Sequence, residues 1–295
     1  MSPSPDPASF SLTDFSAALA AATAAAARRV VTVEGGGPWS ISGVVWQTDL
    51  VVTAHEGLSG DDEFSVILPD GQRQHASLVG RDPSTDVALL RLQTGEVPAW
   101  PAAEIPAVGA LALAVGRGEA GPLSAFGVVG EAGPAWRSMR GGLIDARLVL
   151  DLRLTGRLEG GAVVAADGKL IGLAVSGPRR RALAIPASTV ARAVAALEQR
   201  GYVARGYLGA SMHPLAGKSG SGVILVGVEP GGPAAQAGLV VGDIITTWDG
   251  DTVHSVGSVS ERLGTDAVGK TVKLGVVRGG NAITVDVTIG ERPRA

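Results

Sequence analysis

The chain enters an apolar strand through a glycine pair, Gly160 and Gly161, in the stretch LTGRLEGGAVV, and the residue ahead of the pair is Glu159. Some proteins carry a nucleophilic serine in this setting. Acyl transfer by that route needs a hydroxyl, an imidazole to take its proton, a carboxylate to orient the imidazole, and backbone N–H donors for the oxyanion. A carboxylate at position 159 cannot act as the acyl-forming hydroxyl. Of the 4 histidines, His55 lies in VVTAHEGLSGDDEF, while His75, His213 and His254 read as ordinary surface residues. With 0 cysteines there is no thiolate nucleophile, disulfide or Cys-ligated zinc, and the redox compartment stays open.

The elements that must position these groups read as strands. The 295 residues suffice for two cores, and 43 glycines and 17 prolines cut the chain into short apolar runs, the pattern of a mainly β protein. About a dozen runs follow residue 30, with PDG and ADGK as hairpin turns and no crossover helices, which predicts antiparallel barrels. Pro186 opens the helical segment PASTVARAVAALEQRG, with Val190, Val194 and Leu197 on one face and Gly201 as its stop. From Tyr202 a second composition makes a module of strands and two short helices, Pro233 to Gly238 and Val256 to Leu263.

The formal charge of −3 carries no long block of either sign, so the sequence predicts no nucleic-acid partner, and Arg179 to Arg181 read as a solvated hairpin loop. The first 35 residues have no Lys or Arg before Arg28 and an apolar part that is mainly alanine. They fail as a secretory signal or a spanning helix, which predicts no membrane partner and a cytoplasmic location. Ser11 or Thr13 caps a helix whose last turn holds Arg28 and Arg29, after a disordered Ser/Pro-rich stretch over residues 1 to 9.

Taken in order, GRDPSTDVALLRL, RALAIPASTV, GYLGA, GVEPGGPAAQAGLVVGDIITTWDG and VVRGGNAITVDVTIG resemble the HtrA or Deg group of trypsin-like serine proteases. The likeness covers roughly residues 28 to 292. It implies a trypsin-like double β-barrel followed by a PDZ domain. The domains are then an N-terminal disordered segment and helix over 1–28, a trypsin-like domain over 29–200 and a PDZ domain over 204–292. It places the triad aspartate on Asp86 and the serine on Glu159, with Leu158 before it and Arg157 where the family has an oxyanion-loop glycine. A gapless alignment puts the family's histidine on Glu56, with His55 one place early and aimed away from the site, while a compensating pair of one-residue indels would restore His55, so the position falls on Glu56 or His55.

Two triad positions are therefore replaced, and the leading expectation is a pseudoprotease: no enzyme, but a peptide-binding scaffold or chaperone-like factor. The alternatives are a serine endopeptidase using Ser124 or Ser138 as nucleophile, and a carboxylate-based hydrolase acting through an activated water. The resemblance implies capture of a peptide as an added strand, its carboxylate held by backbone N–H groups of Tyr207, Leu208, Gly209 and Ala210. Ser211 and Met212 lie on the pairing strand, and Val259 and Leu263 on the groove helix, with core packing as the alternative for the apolar ones. No cofactor or metal is expected. Relatives suggest a homotrimer held by N-terminal segments, for which Phe10, Leu12 and Phe15 are candidates unless they pack on their own barrel. Three carboxylates in one cleft would call for a cation, and Arg157 is the nearest in sequence to Glu159.

Overall fold

The computed structural model describes residues 11–34, 39–59, 63–97, 99–138, 140–215 and 222–292; the expectations for residues 1 to 9 and Phe10 lie outside them. Two compact units result, one made of Met1–Ala135 with Ile144–Gly201, the other of Trp136–Leu143 with Tyr202–Ala295. The sequence assigned all of 29–200 to the first domain. Segment 136–143 departs from that because its contacts are to the later chain: Arg137 pairs with Asp266 at 2.9 Å.

In the first unit, α1 (Leu12–Ala27) precedes β1 (Val30–Glu34), β2 (Ile41–Gln47), β3 (Leu50–Ala54), β4 (Glu63–Ile67), β5 (Arg73–Asp82) and β6 (Val87–Arg91). These strands close a barrel in the order β1-β2-β3-β6-β5-β4. Its interior is filled by Val31, Val33, Val51, Val66 and Leu90, supplied by alternate positions of facing strands. A second barrel follows: β7 (Leu111–Gly118), β8 (Gly121–Gly133), β11 (Arg147–Asp151), β12 (Ala162–Ala165), β13 (Leu170–Ser176) and β14 (Ala182–Pro186), ordered β11-β14-β13-β12-β7-β8. In the sequence between β8 and β11, β9 (Trp136–Arg137) and β10 (Leu143–Ile144) form a separate two-stranded sheet. The barrel ends in α2 (Ala187–Arg200), which buries Val190, Val194 and Leu197 and stops at Gly201 in the left-handed region.

Ser11 caps α1, its hydroxyl accepting from the Asp14 amide. The far end differs from expectation. The last turn holds no basic residue, Arg28 being the cap itself. Arg117 from β7 reaches over instead and donates to the carbonyls of Ala27 at 3.2 Å and Val30 at 2.9 Å. Phe15 meets Phe126 of β8 edge to face at 5.7 Å, so this aromatic packs on its own barrel, while Leu12 stays 76% exposed.

The second unit pairs β15 (Gly206–Tyr207) with β22 (Gly290–Glu291). Its main sheet runs β16 (Ala210–Pro214), β17 (Val223–Val228), β18 (Ile244–Trp248), β20 (Thr271–Arg278) and β21 (Asn281–Thr288), with β19 (Asp251–Thr252) pairing β18. Leu208, Leu225, Ile245, Trp248 and Leu274 build its core with Val259 of α4. α3 (Pro233–Gln236) is shorter than the sequence suggests, and α4 (Val256–Arg262) opens on a reciprocal Ser255–Ser258 capping box.

Candidate functional site: the interbarrel cleft and the peptide groove

Glu159 ends a 3-10 turn over Gly156–Leu158 and leads into Gly160 and Gly161. Gly160 has φ +76°, and a Cβ there would stand 2.3 Å from the Ser42 carbonyl oxygen, so backbone geometry alone demands glycine. Ser42 of β2 ties this turn to the first barrel. Its amide donates to the Glu159 carbonyl at 2.8 Å, and its hydroxyl donates to the Arg157 carbonyl at 2.6 Å while accepting from the Arg117 amide at 2.9 Å. Inside the turn the Glu159 amide donates to the Gly156 carbonyl at 3.2 Å, and Leu158, 3% exposed, anchors the turn from below. The Glu159 amide is thus turned into the chain itself.

The half-buried Glu159 carboxylate accepts from the Ser176 amide at 3.3 Å. Burial pushes its pKa above the ordinary carboxylate value; hydrogen bonds from Ser176 pull it back, and the negative charge of Glu56 raises it further. Across the cleft, Asp86 binds the loop after β3 through backbone groups. Its Oδ1 accepts from the Glu56 amide at 2.7 Å and its carbonyl from the His55 amide at 3.2 Å. The charge of Glu56 reaches Glu159, and His55, next to it in the chain, is half-buried.

The cation expected on Glu159 is not Arg157. Among the described residues Arg157 forms no ion pair; it is exposed, with its stem against Gly118, and the inward-turned carboxylate is served by Ser176. Nor do the described residues hold any group of three or more His, Asp or Glu side chains placed to share a metal. Ser124 is exposed on β8, and Ser138 uses its hydroxyl to accept from the amides of Arg140 and Gly142 at 3.2 and 3.3 Å, so neither lies in the Gly-Gly turn. Ser42 and Ser176, which position residues 157 to 159, carry no local signal in the sequence, since their partners lie on strands far away along the chain.

In the second unit β16 is an edge strand, open for pairing on one side. The loop before it turns at Gly209, with φ +71°. Among the described residues no acceptor takes the amide hydrogens of Leu208 and Gly209. Tyr207 donates its hydroxyl to Glu229, Ala210 and Met212 are half-buried against the core, and Ser211 is exposed. Val259 is 0% exposed, so core packing replaces the groove role expected of it; its side of α4 faces the sheet. Leu263, at the helix end, stays partly accessible.

Two barrels with a cleft between them, followed by a small sheet with an open edge strand, define a trypsin-like peptidase fold joined to a PDZ fold. Family profiles agree, matching a trypsin-like peptidase domain over residues 41–173 and a PDZ domain over 206–289. The chain thus has the HtrA-like arrangement of a trypsin-fold peptidase domain with a C-terminal PDZ domain. A probable periplasmic serine endoprotease of DegP type from Brucella suis is 30% identical over 270 residues, covering 85% of this chain and 52% of that protein. One from Halomonas elongata is 29% identical over 276 residues, covering 85% and 56%. The chain therefore spans about half the length of these relatives. Among solved structures, the serine endoprotease from Yersinia pestis superposes with a TM-score of 0.73 at 27% identity, covering 93% of this chain and 98% of that one. The HtrA-type protease AlgW with a tripeptide gives 0.69 at 26% identity, covering 94% and 98%.

These relatives correct two expectations. A chain that is no enzyme is at odds with matches named serine endoproteases, and a cytoplasmic location is at odds with matches named periplasmic. The first expectation rested on residue types at two positions, and the second on the composition of the N-terminal stretch.

Proposed function

We propose that this chain acts on polypeptides in the periplasm, capturing extended segments on its PDZ module by their C-terminal carboxylate, with endoproteolysis as the activity of its barrel pair. The observation that carries the capture is the Leu208–Gly209 loop, whose amide hydrogens meet no acceptor among the described residues, directly ahead of the open edge of β16. An incoming strand pairs with such an edge, and its terminal carboxylate meets the two donors. Tyr207, Ala210, Ser211, Met212 and Leu263 border that path in this reading. The periplasmic location and the proteolysis are supported by the names of the relatives.

Amidating a bound peptide's C-terminus removes the anion, so affinity is expected to fall by roughly 1.5–3 kcal/mol, about ten- to a hundredfold in Kd. Fluorescence anisotropy with free and amidated peptides measures this. Equal affinities refute carboxylate capture.

For the hydrolytic step the cleft offers carboxylates where the family has serine and histidine. A half-buried carboxyl whose pKa is raised, facing the exposed carboxylate of Glu56, favours a second reading, in which Glu56 activates water and Glu159 protonates the leaving amine. Casein digestion decides between routes. Fragments that resist fluorophosphonate and vanish in Glu159→Gln support the carboxylate route, and a fluorophosphonate-labelled serine supports the serine route. Intact casein with retained peptide binding removes endoproteolysis and leaves capture alone.

A further inference from the structure

The hairpin from β13 to β14 begins one residue after the group that serves the Glu159 carboxylate. Ser176, the last residue of β13, gives its amide hydrogen to that carboxylate at 3.3 Å, and Gly177 then opens the turn. The hairpin closes through the Gly177 amide on the Arg181 carbonyl at 2.8 Å and the Arg181 amide on the Pro178 carbonyl at 3.4 Å. Its tip is Arg179 and Arg180, both exposed.

Both tip residues lie in the left-handed region, with φ of +59° and +57°. Positive φ at two successive turn positions is the geometry for which chains use Asn-Gly or Asp-Gly, because most side chains are crowded there. The other described non-glycine residues with positive φ are aspartates, Asp49, Asp86 and Asp249, a type whose short polar side chain tolerates it. Arginine has no such local compensation. Stability is given up at this tip to hold two long cations, and strain of this kind gathers at ligand clamps and active sites.

The fold makes no use of either cation. Among the described residues the guanidiniums of Arg179 and Arg180 form no ion pair or hydrogen bond, whereas Arg181 is matched by Glu131 of β8 at 3.3 Å, an acid that Arg147 shares at 2.9 Å. Three residues of chain span at most about 10 Å, so the tip stays close to Ser176 and the cleft that its amide faces.

We infer that Arg179 and Arg180 hold an acidic side chain of a polypeptide lying in the interbarrel cleft, so that the barrel pair selects segments with Asp or Glu beside the residue that faces Glu159. Planar guanidiniums suit carboxylates. The acid lies to one side because the carboxylate of Glu56 disfavours an anion opposite Glu159, and at about 3.3 Å per extended residue the offset is about three residues. This inference rests on the engagement of polypeptides by the barrel pair.

The test titrates the full chain with short fluorescein-labelled peptides, amidated so that the PDZ donors have no terminal anion to hold, and alike except for Glu or Gln at inner positions. By fluorescence anisotropy at about 0.1 M salt the Glu peptide is expected to bind roughly tenfold more tightly, and the ratio should shrink as salt rises. Arg179→Asn with Arg180→Gly installs the pair that the turn favours, so this variant should melt at a higher temperature than the wild type while the ratio falls to one. Arg179→Gln with Arg180→Gln, which keeps long side chains, should bring the same loss. Equal affinities of Glu and Gln peptides for the wild type overturn the inference, as does a ratio that survives in both variants. If neither peptide is bound or cut, polypeptide engagement by the barrel pair falls and takes the inference with it. Sedimentation of the wild type, but not the variants, with phosphatidylglycerol vesicles, together with equal peptide affinities, assigns the arginines to a lipid surface and overturns it as well.

Discussion

Glu159 in the interbarrel cleft and Asp243 in the PDZ module are both carboxylates taken partly or wholly out of water, yet their surroundings act in opposite directions. Asp243 is 1% exposed and sits in a fork: Arg278 Nε and Nη2 each donate to it at 2.7 Å, and the Val240 amide adds a third bond at 2.9 Å. The guanidinium holds its pKa below the ordinary carboxylate value despite the burial. Glu159 has the Ser176 bonds and the nearby charge of Glu56, and its pKa goes up. A buried charge that is fully matched serves the fold, whereas one left beside a like charge costs stability and is retained for something else. The module spends its carboxylate on holding together the turn before β18. The cleft keeps a protonatable acid in the turn that Ser42 ties to the first barrel.

The largest effect should come from breaking the matched pair. Arg278→Ala leaves Asp243 buried without its cation and also strips a donor from the Gly238 carbonyl, so the module should lose about 3 kcal/mol in denaturant unfolding. A loss below about 1 kcal/mol would mean that Asp243 relaxes to water, and the contrast would dissolve. The sign with pH follows from the lowered pKa: the contribution of Asp243 is present above the unfolded value near 3.8 and is lost as pH falls through the lower folded value.

Next in size is the turn that aims Glu159. Gly160→Ala adds a methyl group at φ +76° against the Ser42 carbonyl and Thr53 Oγ1, so a cost of about 2 kcal/mol is expected, together with movement of residue 159. A variant as stable as the wild type would show that the turn is held by less than its contacts suggest.

The smallest effect sharpens the comparison most. Glu159→Gln keeps an acceptor for the Ser176 amide and removes the charge, so it should stabilise the first unit at neutral pH by about 0.5 kcal/mol. A carboxyl whose folded pKa is raised holds its proton more tightly in the folded chain, so its penalty grows as pH rises from the ordinary value of 4.5 through the folded one. Thermal unfolding of both proteins should therefore coincide at acid pH and diverge towards neutrality. Divergence in the reverse direction would show that Glu159 gains from being ionised.

The one-dimensional pattern carried the fold because its signals are local and repeat. Short Val- and Leu-rich runs closed by PDG and ADGK, and the Val190–Val194–Leu197 face ending at Gly201, each state a period and a stop within a few residues. The resemblance pointed to Glu56 or His55, with Asp86 and Glu159, as residues of one cleft, since a motif fixes order along a strand or turn. What it could not state is which distant atom meets each group. Ser42 holds the carbonyls of Arg157 and Glu159 across about 115 residues, Ser176 rather than the neighbouring Arg157 takes the Glu159 carboxylate, and Arg117 rather than Arg28 or Arg29 closes the end of α1. Segment 136–143 was written into the first domain and folded into the second, and Val259 was read as groove wall and lies in the core. Side-chain partners such as these are set by the closure of barrels and sheets, which brings strands together in an order unrelated to their spacing in the chain. Residue type and position were thus determined by the sequence itself, while the direction of each charge and the partner that meets it were decided only when the strands closed.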